Sequence, residues 1–582
     1  MRAFGLLIAI GLLGACATAP PDAAEIGQPL PADHNGPPML PPANAKIDPN
    51  AISAERMSEI TRVLASDDFQ GRSMGGVGEE KTVSYLIQQF HMAGLEPGGE
   101  NGSWTQSVPM IRTKLQSTSV SITQGGRSSA LKVPDDIYLS TVRDTQQARI
   151  ANAPMVFVGF GVTAPERDWD DFKGADLKGK VAVFLVNDPD FEAATGEPVA
   201  GTFGGKTMTY YGRWTYKFEE AARRGAIAAL VVHETVGAGY GWNVVQSPAG
   251  ENFNVVVEPG ARQPVLLQGW IQGPVFAAML KNAGHDFETV KRQARTTAFR
   301  PIDLKARLSA NAGVELTRLT SRNVIGKLTG SKYPNETVSY GGHWDAYGVG
   351  PADAQGRTIR PGAADDALGL AAMIEVARNF AHGPRPERTL LFFAWTAEER
   401  GLLGSEYYAS HPLYPHETMV ANLTFDTLQW AGPAKDVVVI GKGQSEMEQL
   451  LAEVARLQDR YVTPENHPER GLFYRADHFS LAKRGVPVLL NMALAGSYDL
   501  VDGGRAAGDK WLNDFTTNCY HQACDAWSPS WNLGGAVQEA ELFYAIGARL
   551  ANSRQWPGWS AGSEFKKVRQ ESSGRRSGGE RG

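Results

Sequence analysis

The chain has 582 residues, a formal net charge of -6 and a pI near 6.1. This length predicts roughly three or four domains and a large buried core. The slightly acidic balance gives no general attraction to nucleic acid, which argues against a nucleic-acid-binding protein. Beyond the N-terminus no stretch reaches about 18 consecutive apolar residues, so no transmembrane helix is expected there.

The N-terminus, MRAFGLLIAIGLLGACATAP, has the outline of a secretory signal: one arginine, a short apolar stretch and a site of small residues. The tetrapeptide that ends at Cys16 resembles the bacterial lipobox, in which the cysteine is lipidated after cleavage. We therefore expect a lipoprotein signal peptide over 1–16 and a proline-rich tether over 17–50. The alternative is an ordinary signal peptide with a chance cysteine. A lipid on Cys16 would anchor the protein to the outer membrane, facing the periplasm or the cell surface.

Two amphipathic helices are predicted next, in a segment from 51 to 145. The stretch ISAERMSEITRVLA places Met57, Ile60 and Leu64 on one face. The stretch GEEKTVSYLIQQFHMAGL does the same, and Gly94 is expected to end its helix.

Residues 146–295 have a different texture. PMVFVGFGV and GKVAVFLV are typical of buried strands, and YKFEEAARRGAIAALVV predicts a helix, a glycine turn and a strand. The stretch from about 150 to 280 is similar to the protease-associated domain that is inserted in some secreted peptidases. That resemblance implies a β-rich domain that shapes access to a site.

From 296 to 555 apolar strands alternate with helices, for example ETVSYGGH, DDALGLAAMIEVARNFA, TLLFFAWT and MVANLTFD. This alternation predicts an α/β fold with a mostly parallel mixed sheet and helices on both faces. Ligands in such folds bind at the carboxyl ends of the strands. The last segment, 556–582, is rich in glycine, serine and arginine, and we expect it to be disordered.

Acids and histidines recur at the predicted strand ends and helix starts, in the stretches HWD, GAADD, AEE, TFD and YHQACD. Each has an ordinary structural explanation; Thr396 and Glu399, for instance, fit a helix capping box. Together they form the mixture of histidine and carboxylate ligands that suits divalent zinc.

In this order the five stretches resemble the co-catalytic di-zinc aminopeptidase family, of the aminopeptidase S and aminopeptidase Y type, which is related to glutamate carboxypeptidase II. DFQGRSMGGVGEEKTVSYL also resembles the family's N-terminal segment. The resemblance implies a zinc exopeptidase fold and two Zn²⁺ ions. It assigns the five metal ligands as follows: His343 and Asp426 on one ion, Glu399 and His521 on the other, and Asp365 on both.

The same resemblance assigns the catalytic residues. Glu398 would be the general base, Asp345 would orient the ligand histidine, and Tyr520 would stabilise the oxyanion. His478 in the RADH stretch is not expected to be a ligand, because the ligand set is already complete.

The leading hypothesis is an exported zinc aminopeptidase that acts on peptides. A carboxypeptidase or dipeptidase on the same scaffold is the first alternative; it would need a cationic clamp for the substrate carboxylate, for which Arg475 is a candidate. A binding protein on an inactive peptidase scaffold is the second. Side-chain specificity and oligomeric state stay open, as does pairing of Cys519 with Cys524.

Overall fold

The structure is a computed structural model, and it describes residues 52–246 and 250–576. The predicted signal peptide, the tether and Cys16 lie outside the described residues.

The described residues form twenty strands and fourteen α-helices. The strands are β1 Glu96–Pro97, β2 Thr105–Gln124, β3 Arg127–Leu131, β4 Ile137–Ser140, β5 Gln147–Phe157, β6 Thr163–Ala164, β7 Trp169–Asp170, β8 Val181–Leu185, β9 Ala228–His233, β10 Glu251–Val255, β11 Leu267–Gln272, β12 Ile302–Leu328, β13 Tyr333–His343, β14 Gly348–Val349, β15 Ile359–Arg360, β16 Arg388–Trp395, β17 Met419–Asp426, β18 Asp436–Val439, β19 Tyr461–Pro464 and β20 Val488–Met492. The helices are α1 Ala54–Leu64, α2 Val77–Met92, α3 Trp214–Arg223, α4 Thr235–Ala238, α5 Trp242–Gln246, α6 Gly273–Ala283, α7 Phe287–Ala294, α8 Leu368–His382, α9 Leu403–Ser410, α10 Met447–Leu457, α11 His478–Ala482, α12 Gly504–Asn518, α13 Gly534–Ala551 and α14 Lys566–Glu571.

The sheet of the C-terminal half is mostly parallel, as predicted. Its strands lie in the order β20, β17, β13, β16, β12, and only β12 runs antiparallel to its neighbour β16. The central strands β16 and β17 are fully buried, and β13 is buried from Glu336 to His343, which explains the apolar runs in the sequence.

Helices cover both faces of this sheet. On one face Tyr340 of β13 stacks on Phe392 of β16 and contacts Phe380 of α8. On the opposite face Phe393 and Trp395 of β16 pack against a ring of α9. Because side chains alternate along a strand, β16 supplies both layers of the core. The predicted α/β class is therefore confirmed.

The inserted region is larger than the predicted 146–295. Its apolar core begins at Val120 and Ile122 and ends at Leu308 and Val314. The long strands β2 and β12 lie outside the predicted bounds and pair with each other along this core, and β12 continues into the C-terminal sheet, where it pairs with β16. The region is a parallel β5–β8–β9–β11 sheet with helices, edged by the antiparallel β4.

The prediction of a disordered tail is wrong for residues 556–576. Trp559 and Phe565 are buried and their rings lie 4.9 Å apart, and Arg569 of α14 donates to the carbonyls of Met419 and Val420. The glycine-rich composition of this segment gave no indication that these few residues would be buried. None of the described helices is long and apolar enough to cross a membrane.

Candidate metal centre

Three neighbouring parallel strands bring the predicted site residues to one edge of the sheet. His343 is the last residue of β13 and Asp426 the last of β17, while Glu398 and Glu399 follow β16. Since β13 lies between β16 and β17 in parallel register, these side chains converge.

The first group of potential ligands consists of His343, Asp365 and Asp426, all buried. The Nε2 atom of His343 lies 3.0 Å from Oδ1 of Asp365. Its Nδ1 atom lies 3.0 Å from the backbone carbonyl of Asp345, which can only accept a hydrogen bond. The proton therefore belongs on Nδ1, and the Nε2 lone pair is directed at the carboxylate cluster.

The second group consists of Asp365, Glu399 and His521. Nε2 of His521 lies 3.3 Å from both Oδ2 of Asp365 and Oε2 of Glu399. The two oxygens of Asp365 thus face different histidines. This is the geometry that a carboxylate shared between two ions requires.

Several buried polar atoms at the centre have no hydrogen-bond partner among the described residues. They include Nε2 of His521, Oδ2 of Asp345 and Oδ1 of Asp477. Burial, together with the negative charge of Asp365, raises the pKa of Asp426 to about 7. Such a cluster is short of positive charge, and its donors are the imidazole and carboxylate groups that bind zinc, so the residues fit the predicted metal.

The turn that carries Asp365 is fixed by two residues that the sequence analysis missed. The carboxylate of Asp525 accepts hydrogen bonds from the backbone amides of Ala364 and Asp365, at 2.8 and 3.2 Å. The buried guanidinium of Arg72 donates to the carbonyls of the same turn and of the segment after β13: Trp344, Pro361 and Gly362. Asp525 lies in the stretch YHQACD and Arg72 in the stretch DFQGRSMGG. Both stretches resemble the di-zinc family, and this resemblance was the available signal for the two residues.

Asp366 ties two strand ends together. One carboxylate oxygen accepts from the amide of His343 and the other from the amide of Thr427. Asp366 therefore positions the ends of β13 and β17 while its neighbour Asp365 faces the histidines.

Glu398 belongs to neither group of three. Its backbone amide donates to Oδ1 of Asp345 at 3.0 Å, and its carboxylate lies 4.0 Å from Nε2 of His343. Burial is the main reason that the pKa of Glu398 is well above its usual value, and the charges of Asp426 and Glu399 add to the effect. A carboxylate so placed can accept and return a proton beside the centre.

The capping-box interpretation of Thr396 and Glu399 is wrong. The Thr396 hydroxyl hydrogen-bonds to Ser321 at 2.6 Å, and the short turn over Glu398–Arg400 has no side-chain cap.

Asp345 differs in detail from its predicted role. Its backbone carbonyl, rather than its carboxylate, contacts His343 at hydrogen-bond distance; the carboxylate is 3.8 Å away and accepts from Glu398 instead. Asp345 thus links the ligand histidine to the glutamate.

Aromatic rings flank His521. The Tyr520 and Tyr347 rings lie 3.7 and 4.4 Å from the imidazole. Burial raises the pKa of Glu399 well above its usual value, and the Tyr347 hydroxyl acts in the opposite direction. The sequence predicted a role for Tyr520 but not for Tyr347, whose ring lies against His521.

A disulfide between Cys519 and Cys524 closes a short loop around His521. The sequence left this pairing open. The covalent loop restricts the backbone that carries the histidine.

His478 lies outside both groups, as predicted. Its Nε2 atom contacts the carbonyl of Phe473 at 2.8 Å, and burial lowers its pKa to about 3. It is a neutral core histidine. The neighbouring Arg475 is exposed.

The part of the chain that holds every predicted ligand matches a known family model: residues 323–545 match peptidase family M28. The match covers less than half of the chain and includes all five predicted ligands. Arg72, which fixes the Asp365 turn, comes from outside the matched M28 range.

Curated relatives are also peptidases. The chain is 44% identical over 86 residues to a probable zinc metalloprotease of Pyrenophora teres f. teres, a match that covers 15% of this chain and 18% of the relative. It therefore spans less than a fifth of that relative's length. It is 25% identical over 432 residues to probable leucine aminopeptidase 2 of Aspergillus fumigatus, covering 72% of this chain and 67% of the relative.

Among solved structures, an aminopeptidase from Aneurinibacillus sp. strain AM-1 is similar with a TM-score of 0.47 and 20% identity. The match covers 87% of this chain and 96% of that one.

Proposed function

We propose that this M28 protein is a di-zinc exopeptidase that removes N-terminal residues from peptides. The observation that carries the proposal is the pair of three-residue groups that share Asp365. His343 and Asp426 would hold one ion, Glu399 and His521 the other, and Asp365 both. The ions would supply Lewis acidity, which makes water more acidic and polarises the scissile carbonyl.

Glu398 is the proposed general base. Its carboxylate lies beside His343 but outside both groups, so it is free to take a proton from the attacking water and to deliver it to the leaving amine. The hydrogen bond from its amide to Asp345 keeps the backbone in place during this exchange. Tyr520, next to His521, is the proposed donor to the oxyanion.

The charge of the site supports recognition of an N-terminal ammonium. Eight acids lie at the centre or on the Asp365 turn, more than the five positive charges of two divalent ions and Arg72 would balance: Asp345, Asp365, Asp366, Glu398, Glu399, Asp426, Asp477 and Asp525. The remaining negative charge attracts a cationic substrate end. The name of the Aspergillus relative agrees with this choice.

A carboxypeptidase or dipeptidase is the second candidate, and the exposed Arg475 near Asp426 favours it. A binding protein on an inactive scaffold would be expected to lack ligands, whereas all five predicted ligands converge here.

The experiment is a comparison of leucine p-nitroanilide with N-acetyl-leucine p-nitroanilide, using zinc-loaded protein. We expect turnover of the free amine and little of the blocked compound. Cleavage of N-blocked dipeptides that carry a free carboxylate would instead assign a carboxypeptidase. A protein that binds no zinc and cleaves neither class would be a binding protein.

For the part of the chain before residue 52 we propose lipid anchoring through Cys16 in the outer membrane. We also propose that the inserted region is a protease-associated domain that shapes access to the centre.

A further inference from the structure

A cavity of about 460 Å³ lies between the inserted region and two residues of the C-terminal half, Arg470 and Arg475. Its described lining contains three arginines, Arg213, Arg470 and Arg475, and no carboxylate. Charged side chains in a protein are ordinarily paired when they leave bulk water. Of the three, Arg213 is largely removed from water while Arg470 and Arg475 are exposed, and with no acid in the lining the cavity is suited to an anion.

Of the three arginines, Arg213 gives the strongest indication of an anion site. It is largely buried, and its Nε atom has no hydrogen-bond partner among the described residues. Burial lowers the pKa of Arg213 to about 10, and the positive charge of Arg475 contributes in the same direction. A largely buried guanidinium whose Nε–H lacks a partner costs folding free energy, which binding of an anion would recover.

Arg475 connects the cavity to the metal centre. It lines the cavity, and its charge also acts on Asp426 and on Tyr520. Burial raises the pKa of Tyr240 in the cavity wall, and the positive charges of Arg213 and Arg475 both oppose that rise. Arg475 also lies two positions before Asp477, one of the carboxylates at the centre, so a ligand bound at Arg475 is close in the chain to that centre.

The remaining wall includes five aromatic residues, Tyr138, Trp214, Phe218, Tyr240 and Trp270, together with apolar side chains such as those of Val186 and Val245. Such surfaces take up apolar groups, and they strengthen ion pairing because they exclude water. The cavity thus combines a site for negative charge with space for an apolar side chain.

The two walls are held together. The amide of Met208 donates to the carbonyl of Pro468 at 3.1 Å, and the Tyr210 ring contacts the rings of Tyr474 and Phe479. Arg213 and Arg475, which come from different parts of the chain, are therefore kept in place before any ligand binds.

We propose that this cavity binds a carboxylate on the leaving-group side of the substrate, between Arg213 and Arg475. The proposal rests on the proposed peptidase function and narrows its substrates to peptides with a nearby carboxylate. That carboxylate comes either from the C-terminus of a short peptide or from an acidic side chain.

Two substrate pairs distinguish these sources. Leu-Phe against Leu-Phe-amide tests the terminal carboxylate, and Leu-Asp-amide against Leu-Asn-amide tests the side chain. We expect kcat/KM to favour the carboxylate member of at least one pair by about tenfold or more, mainly through KM, since a buried charged hydrogen bond contributes that much or more. Arg213→Met should abolish this preference and Arg475→Met should reduce it. Arg262→Met, at an exposed arginine of the same region, is the control and should retain it.

A binding measurement does not depend on turnover. N-acetyl-phenylalanine should raise the melting temperature of the zinc-loaded protein more than its amide does, and Arg213→Met should remove the difference. Without ligand, Arg213→Met should melt at the same or a higher temperature, because an unpaired buried charge has been removed.

Equal kcat/KM within both substrate pairs, or a preference that survives in Arg213→Met, would overturn the proposal. A large drop in the melting temperature of ligand-free Arg213→Met would also overturn it, because the arginine would then be structural. Carboxylate binding that depends on Arg213, in a protein that cleaves no peptide, would instead contradict the proposed function and retain the anion site.

Discussion

Glu398 and Glu399 are adjacent in the chain but face different partners. Glu399 lies 3.3 Å from His521, in the second group of potential ligands, whereas Glu398 lies beside His343 and in neither group. The turn after β16, which has left-handed residues at Ala397 and Gly401, points the two side chains in different directions. One carboxylate can then bind metal while the other transfers protons.

This division predicts different results for two matched substitutions. Glu398→Gln should keep near-normal zinc content and lose about 10²- to 10⁴-fold in rate, since only the proton acceptor is removed. Glu399→Gln should lose zinc as well as rate, because an anionic ligand is replaced by a neutral one. Metal analysis and turnover of both variants check this; full metal content and equal activity in both would contradict it.

His478 predicts a pH dependence of stability. Its folded pKa is about 3 because it is buried, whereas an unfolded histidine titrates near about 6.5. The unfolded state therefore binds the extra proton first, and this stabilising contribution, complete above about pH 6.5, is lost as the pH falls towards 3. The loss amounts to as much as about 1.4 kcal/mol per pH unit.

His478→Gln, which cannot be protonated, should flatten the decline of unfolding free energy between pH 6.5 and 4.5. Denaturant titrations of both proteins at several pH values measure this. Parallel pH profiles for the two proteins would show that the buried histidine makes no such contribution.

At the scale of elements, each half of the centre depends on a different kind of support. In the first group, His343 and Asp426 are the last residues of two buried parallel strands, and Asp366 joins the ends of these strands. The second group depends on a loop: His521 lies between Cys519 and Cys524, against the Tyr347 ring. We therefore expect the second group to be the more easily disturbed half.

Replacing both Cys519 and Cys524 by serine should free the loop that carries His521. Zinc in the second group should then exchange with a chelator on the order of tenfold faster or more, as for the loss of other groups that orient a ligand. Serine variants are preferable to a reducing agent, because thiols themselves bind zinc. Unaltered zinc retention, or two free thiols in the mature native protein with Cys16 lipidated, would contradict a role for the disulfide.

At the scale of the whole molecule, the sheet of the C-terminal half was the part best predicted from the sequence. Its strands are buried on both faces and their ends carry the polar residues, so apolar runs followed by His343, Glu398 and Asp426 mark both the fold and the site. Arg72, Asp525 and Tyr347 could not be placed, because their roles depend on contacts between distant loops. The core of the inserted region extends beyond the predicted bounds because parts of β2 and β12, which lie outside those bounds in the sequence, pack into it.

The predicted lipid anchor belongs to this scale too. Cys16→Ser should move the protein from the membrane fraction to the soluble fraction, since it removes the acceptor of the lipid. The specific activity of the released protein should equal that of the detergent-solubilised native protein. Fractionation followed by activity assay measures both, and an unchanged membrane fraction would argue against lipidation.

The sharing of Asp365 by two zinc ions is the central claim, and anomalous diffraction at the zinc edge from crystals of the zinc-loaded protein tests it most directly. The account predicts two anomalous peaks about 3.5 to 4 Å apart, one beside His343 and Asp426 and the other beside Glu399 and His521, with Asp365 between them. A single peak, or peaks that do not contact Asp365, would contradict it.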